Sequence, residues 1–102
     1  MPQSIDAVTL RAAIIDDNEI AVFDVREEGV FGQRHLLRSI NVPLSRFELL
    51  YEKFAPRSSV RMVLMDDNDG LALRAAAILD AADYSDVSLL INGVQGWDDA
   101  GC

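Results

Sequence analysis

Val60-Arg61-Met62-Val63-Leu64-Met65-Asp66-Asp67-Asn68-Asp69-Gly70-Leu71 is the stretch that decides the architecture of this chain. Its first six residues are apolar except Arg61, a run of strand length. Polar residues and a glycine then break the pattern, and an alanine-rich helical stretch follows from Leu71 to Ala82. A strand that passes through a short polar turn into a helix is the repeating unit of open α/β sheets. Such domains usually place their chemistry at that turn. A continuous apolar strand also fits a sheet that is covered on both faces. Yet the turn Asp66-Asp67-Asn68-Asp69-Gly70 holds no good nucleophile for sulfur or phosphoryl chemistry. Its position points to an active site, and its residues point to an absent one.

Outward from this unit, helical and extended patterns alternate. Asp6 is placed to cap a helix from about Ala7 to Asp16, with Leu10 and Ile14 on its buried face. Asp17-Asn18 reads as a turn, Ile20 to Val25 as a second apolar strand, and Glu27 to Gly32 as a short helix. Ile40 to Val42 is a brief extended piece stopped by Pro43. Ser45 and Glu48 have capping-box spacing. Phe47, Leu50, Tyr51 and Phe54 follow at helical intervals and are predicted to face the core. Pro56 ends that helix. Val87 to Ile91 is the last strand, Asn92-Gly93 a turn, and Val94 to Ala100 a closing helix anchored by Trp97. The expected fold class is α/β: three layers, α/β/α, around a mainly parallel sheet of about five strands. Asp24, Val25, Asp66 and Ile91 then gather at one sheet edge.

At 102 residues the chain is one small domain, residues 1–102. No apolar run approaches the ~20 residues that span a bilayer. The first residues lack the pattern of a secretory signal. The single cysteine, Cys102, has no internal disulfide partner, and a cytoplasmic setting fits best. A formal net charge of −8 repels phosphate backbones and anionic lipid. The basic residues are scattered and form no stripe, so neither nucleic acid nor membrane is an expected partner.

Several pieces together resemble one family. Phe23-Asp24-Val25-Arg26-Glu27 is similar to the Asp-Val-Arg box that opens rhodanese-like domains. His35 and Ser39-Ile40-Asn41-Val42-Pro43-Leu44 resemble that family's next conserved stretch. Val63-Leu64-Met65 stands where its strand leads into the catalytic loop. Asn92-Gly93-Val94-Gln95-Gly96-Trp97 resembles its closing Gly-Gly-x-x-x-Trp. The four blocks agree in order and spacing across nearly the whole chain. The departures are as informative. Active sulfurtransferases of the family carry a cysteine directly after the strand, and Asp66 takes that position here. Asp67, Asn68 and Asp69 follow, Gly70 falls one place late, and Leu71 stands where arginine is frequent. Arg34, Leu37 and Arg38 replace the Gly, Pro and Gly found around the histidine. The resemblance is to noncatalytic units of tandem multi-rhodanese sulfurtransferases, and implies a fragment of a longer multi-domain protein. The implied partners are sister rhodanese domains of the parent chain or another protein.

The chemistry that the resemblance implies needs a thiolate to hold sulfur as a persulfide, stabilised by backbone N–H groups at a helix N-terminus. Asp66 cannot form that persulfide, and its fixed charge opposes an anionic donor. Two unit charges ~4 Å apart repel by roughly 4 kcal/mol at an effective dielectric near 20. Cys102 lies beyond the last element and does not substitute. The residues suggest a self-filled loop, in which Asp66 or Asp69 turns inward to accept the N–H bonds and Asp69 caps the helix at Leu71. The loop does not match a calcium-binding pattern, since Met65 falls at the first ligand position and Ala76 at the last. No metal site and no cofactor are expected. A phosphate receiver with acids at Asp16-Asp17 would need a lysine at a late strand end, and the only lysine is Lys53. By resemblance, Asp24 ties down loop backbone, Arg26 pairs with a carboxylate, His35 shapes the turn after it, and Trp97 anchors the core. The expected role is a scaffold, interaction or regulatory unit with no catalytic residue of its own. The rival expectation is thiosulfate sulfurtransferase activity in the full-length parent, through a cysteine in another domain.

Overall fold

The computed structural model describes residues 2–16, 19–33, 35–36 and 38–101. The Asp17-Asn18 turn, the departures at Arg34 and Leu37, and Cys102 lie outside the described residues. Five strands alternate with helices: β1 (Gln3–Ile5), α1 (Ala7–Ile15), β2 (Ile20–Asp24), α2 (Glu28–Gln33), β3 (Ile40–Asn41), α3 (Phe47–Phe54), β4 (Arg61–Met65), α4 (Leu71–Ala81), β5 (Val87–Leu90) and α5 (Gly93–Asp99). The strands form one sheet in the order β1-β5-β4-β2-β3, and every pairing is parallel. The continuous apolar strands β2 and β4 lie side by side, with Val22 opposite Val63 and Asp24 opposite Met65.

Burial on both faces explains why these strands read as unbroken apolar runs. Along β4, Met62 and Leu64 enter a core with Phe23, Phe47, Ala75 and Leu79, under α3 and α4. Val63 and Met65 enter a second core with Leu10, Val22 and Val94, under α1 and α5. Small residues let α4 sit close to the sheet: Ala72, Ala75 and Ala76 are buried. An aromatic chain fills the first core. Phe23 meets Phe47 edge-on at 6.2 Å, Phe47 stacks on Tyr51 at 5.7 Å, and Tyr51 meets Tyr84 edge-on at 5.6 Å.

Asp6 caps α1 as expected, accepting the Thr9 N–H at 2.7 Å. One strand has no signal in the sequence, and two readings need correction. β1 carries no apolar run that would announce it; it exists because its backbone pairs with β5. The Ser45–Glu48 capping box does not form. A 3-10 turn, Leu44–Arg46, precedes α3, and the Ser45 hydroxyl donates instead to Glu27 at 2.7 Å. Phe54, predicted to face the core, is 41% exposed, because α3 ends there; the Lys53 ammonium lies 5.7 Å from its ring centre.

Candidate functional site

The C-terminal ends of β2, β4 and β5 meet at one sheet edge, as parallel pairing requires. The Val25 N–H donates to the Met65 carbonyl at 3.0 Å, and the Val94 N–H donates to the Asp66 carbonyl at 2.9 Å. Asp66 therefore sits where β4 gives way to its loop, beneath the start of α5. That approach explains Gly93. A Cβ there would lie 2.1 Å from the Asp66 carbonyl oxygen, and φ is +58°.

The loop closes on the Asp66 side chain. One carboxylate oxygen accepts the Asn68 N–H at 2.8 Å, and the other accepts the Ala72 N–H at 2.9 Å. Asn68 and Gly70 take left-handed backbone conformations, φ +62° and +88°, to bring these donors round. Asp66 is 6% exposed. Of the two aspartates expected to turn inward, Asp66 does so. Asp69 stays exposed and accepts the Leu71 N–H at the start of α4 over a longer 3.4 Å. Geometry decides between them. Asp66 still has the strand's direction, which aims its side chain under the first turn of α4, so its carboxylate also complements the helix dipole. Leu71 is half-buried at the start of α4 and packs against the α3/α4 core.

Beside the loop lies a buried ion pair. The Arg26 Nε donates to both Asp24 carboxylate oxygens, at 2.9 and 3.0 Å, and Nη2 donates at 2.7 Å. The Arg26 backbone N–H also donates to Asp24 at 3.0 Å. Asp24 is fully buried, and Arg26 is 3% exposed. The Asp24 hydrogen bonds hold the guanidinium more firmly protonated than usual, against the opposing effect of burial. Asp67, nearly half exposed, sits 3.4 Å from Nη1. The expected roles of Asp24 and Arg26 thus merge: each is the other's carboxylate or cation, and together they brace the loop after β2.

His35 bonds main chain, as expected, but on the side before it. It is exposed, its Nδ1 donates to the Phe31 carbonyl at 2.9 Å, and its ring stacks on Phe31 at 3.9 Å. It holds the end of α2 rather than the turn that follows it. Trp97 is half-buried against the α1/α5 core, as an anchor would be. Two contributors carried no assigned role in the sequence. The Asn41 amide donates to the carbonyls of Asp24 and Arg26, at 3.1 and 2.9 Å. Glu27 receives the Ser45 hydroxyl. No local pattern marks Asn41, because its two acceptors lie 17 and 15 residues earlier in the chain.

The edge is acidic, with Asp66, Asp67 and Asp69 together and one buried arginine already bound to carboxylates. Among the described residues, no group of three or more His, Cys, Asp or Glu side chains is arranged to hold a metal ion. A depression of about 190 Å³ beside the loop is lined by Asp66, Asn68, Gly70, Leu73, Ile91 and Asn92.

The family model for the rhodanese-like domain matches residues 6–100. The chain belongs to the rhodanese-like family. As a rhodanese-like domain it is 42% identical to a solved thiosulfate sulfurtransferase from Pseudomonas aeruginosa, with a TM-score of 0.93. That match covers 97% of this chain and 19% of the other, so this domain spans about a fifth of that protein's length. The rhodanese-like domain of an Anabaena protein is 20% identical, with a TM-score of 0.85, over 99% of this chain and 76% of that one. A human single-domain sulfurtransferase is 16% identical, with a TM-score of 0.81, over 97% of both chains. These last two similarities establish the fold alone. A comparison with curated protein sequences gives no match. Among the described residues of this rhodanese-like domain, no helix is long and apolar enough to cross a membrane.

Proposed function

We propose that this rhodanese-like domain is a noncatalytic unit of a larger sulfurtransferase and acts as a scaffold, interaction or regulatory element. One observation carries the reading. The side chain directly after β4 is a buried carboxylate, Asp66, that already accepts two backbone N–H bonds. An oxygen acid forms no persulfide, and its charge opposes an anionic sulfur donor. The loop turns its Asn68 and Ala72 N–H donors onto its own carboxylate, so those two donors are not offered to a substrate. Sulfur transfer in the parent then belongs to a cysteine elsewhere. The 42% identity to a thiosulfate sulfurtransferase five times longer favours that arrangement. Thiosulfate-to-cyanide transfer by the purified 102-residue chain is the test, followed by intact mass after exposure to thiosulfate. The expected results are no thiocyanate and no sulfur adduct outside Cys102. Turnover by this chain would overturn the proposal.

A further inference from the structure

α1 is apolar on both of its faces. Seven of its nine residues are Ala, Val, Leu or Ile, and Arg11 is its only charge. Ala7, Leu10 and Ala13 face the sheet and are buried. Val8, Ala12 and Ile15 follow at intervals of four and three, so they line one outward stripe. Val8 is 65% exposed and Ile15 is 64% exposed. A helix that is apolar all round normally lies inside a larger body, not on a surface. We propose that this stripe is the seat of a neighbouring folded domain of the same polypeptide, which covers it with an apolar face. The proposal rests on the reading of this domain as part of a longer chain.

Size and charge choose that occupant over a second free copy. Stable association of free partners takes about 800 Å² from each side. Three side chains on one short helix supply a fraction of that area. Each copy also carries a net charge of −8, which opposes self-association. A contact this small holds only where a tether supplies a high effective concentration. The match to the Pseudomonas aeruginosa sulfurtransferase covers 19% of that chain, so in that relative about four-fifths of the polypeptide lies outside the matching part. The stripe itself carries no charge, and Arg11 is the only charged residue within α1, so the stripe selects an apolar partner face.

The test compares the 102-residue chain with the complete product of its open reading frame, each with and without Val8→Glu plus Ile15→Glu. Leu49→Glu, at an 82% exposed site on α3 across the sheet, is the control. In the 102-residue chain, the double variant should shift the thermal midpoint by less than about 3 °C, as exposed positions do. In the complete product, it should speed limited proteolysis between domains by about tenfold, corresponding to loss of a modest docking contact. Leu49→Glu should leave that rate unchanged. Equal cleavage rates for wild type and double variant overturn the docking proposal and leave the noncatalytic reading intact. Equal acceleration by Leu49→Glu overturns it too. A complete product that holds no folded domain besides this one overturns both readings. Sedimentation showing a dimer of the 102-residue chain, lost in the double variant, assigns the stripe to a second copy instead.

Discussion

Replacing Asp66 with alanine should destabilise the fold even though the loop performs no chemistry. The carboxylate holds two backbone N–H groups, at Asn68 and Ala72, while nine-tenths buried. A hydrogen bond to a charged group contributes about 1.5–3 kcal/mol. Losing a helix cap alone costs roughly 0.5–2 kcal/mol. The two bonds share one carboxylate, so their losses overlap rather than add. Water can reach Asn68 in the exposed part of the loop, but the Ala72 N–H is buried beneath it. The expected loss is therefore about 2–4 kcal/mol. With a denaturant slope of about 1.5 kcal/mol/M, the urea midpoint should fall by roughly 1.3–2.7 M. Asp66→Asn keeps one acceptor oxygen and should lose about half as much. Equilibrium urea unfolding, followed by far-ultraviolet circular dichroism and by Trp97 fluorescence, gives both values. An Asp66→Ala loss below about 0.5 kcal/mol would refute the internal-anchor reasoning, because that is the scale of an ordinary surface change.

Three further outcomes follow from the same structure. Asp24→Ala leaves the Arg26 guanidinium buried without its main partner and should cost about 3–5 kcal/mol in chemical denaturation; a loss under about 1 kcal/mol would mean that solvent already reaches the pair. Gly93→Ala drives a Cβ to 2.1 Å from the Asp66 carbonyl and should lower soluble yield and the thermal midpoint sharply, whereas Gly70→Ala, at φ +88° with nothing nearby, should cost only about 1–2 kcal/mol; similar losses at the two sites would contradict the close approach. Burial raises the Tyr84 phenol above its ordinary 10.0, and its hydroxyl donates to the Ala55 carbonyl. As pH rises the unfolded chain loses that proton first, so the stability Tyr84 contributes is full below pH 10.0 and is lost as pH climbs through its folded value. Tyr84→Phe should cost about 1 kcal/mol at neutral pH and flatten the alkaline fall in the unfolding curve; an unchanged alkaline slope would remove Tyr84 as its source.

Much of the fold was legible because the apolar runs are long and uninterrupted. β2 and β4 announce themselves through Val22-Phe23 and Met62-Val63-Leu64-Met65, and the helices through their spacing and through Asp6. What was illegible depended on partners distant in sequence. β1 has no apolar pattern, and only pairing with β5 makes it a strand. Ser45 and Glu48 satisfy a local capping rule, but Glu27, eighteen residues away, takes the hydroxyl first. Phe54 follows the helical period, yet the end of α3 leaves its ring at the surface.

The sequence alone determined the parallel α/β architecture and placed an aspartate at the end of β4, because hydrophobic periodicity and residue identity are local properties. It also named the loop residues that surround that aspartate. Only the tertiary structure decided which carboxylate turns inward. Asp66 and Asp69 are equivalent as acids, and the choice between them is made by the angle at which β4 delivers the chain beneath α4. It also decided that Gly93 must lack a side chain, since that demand comes from the Asp66 carbonyl, twenty-seven residues away in sequence and in direct contact in space.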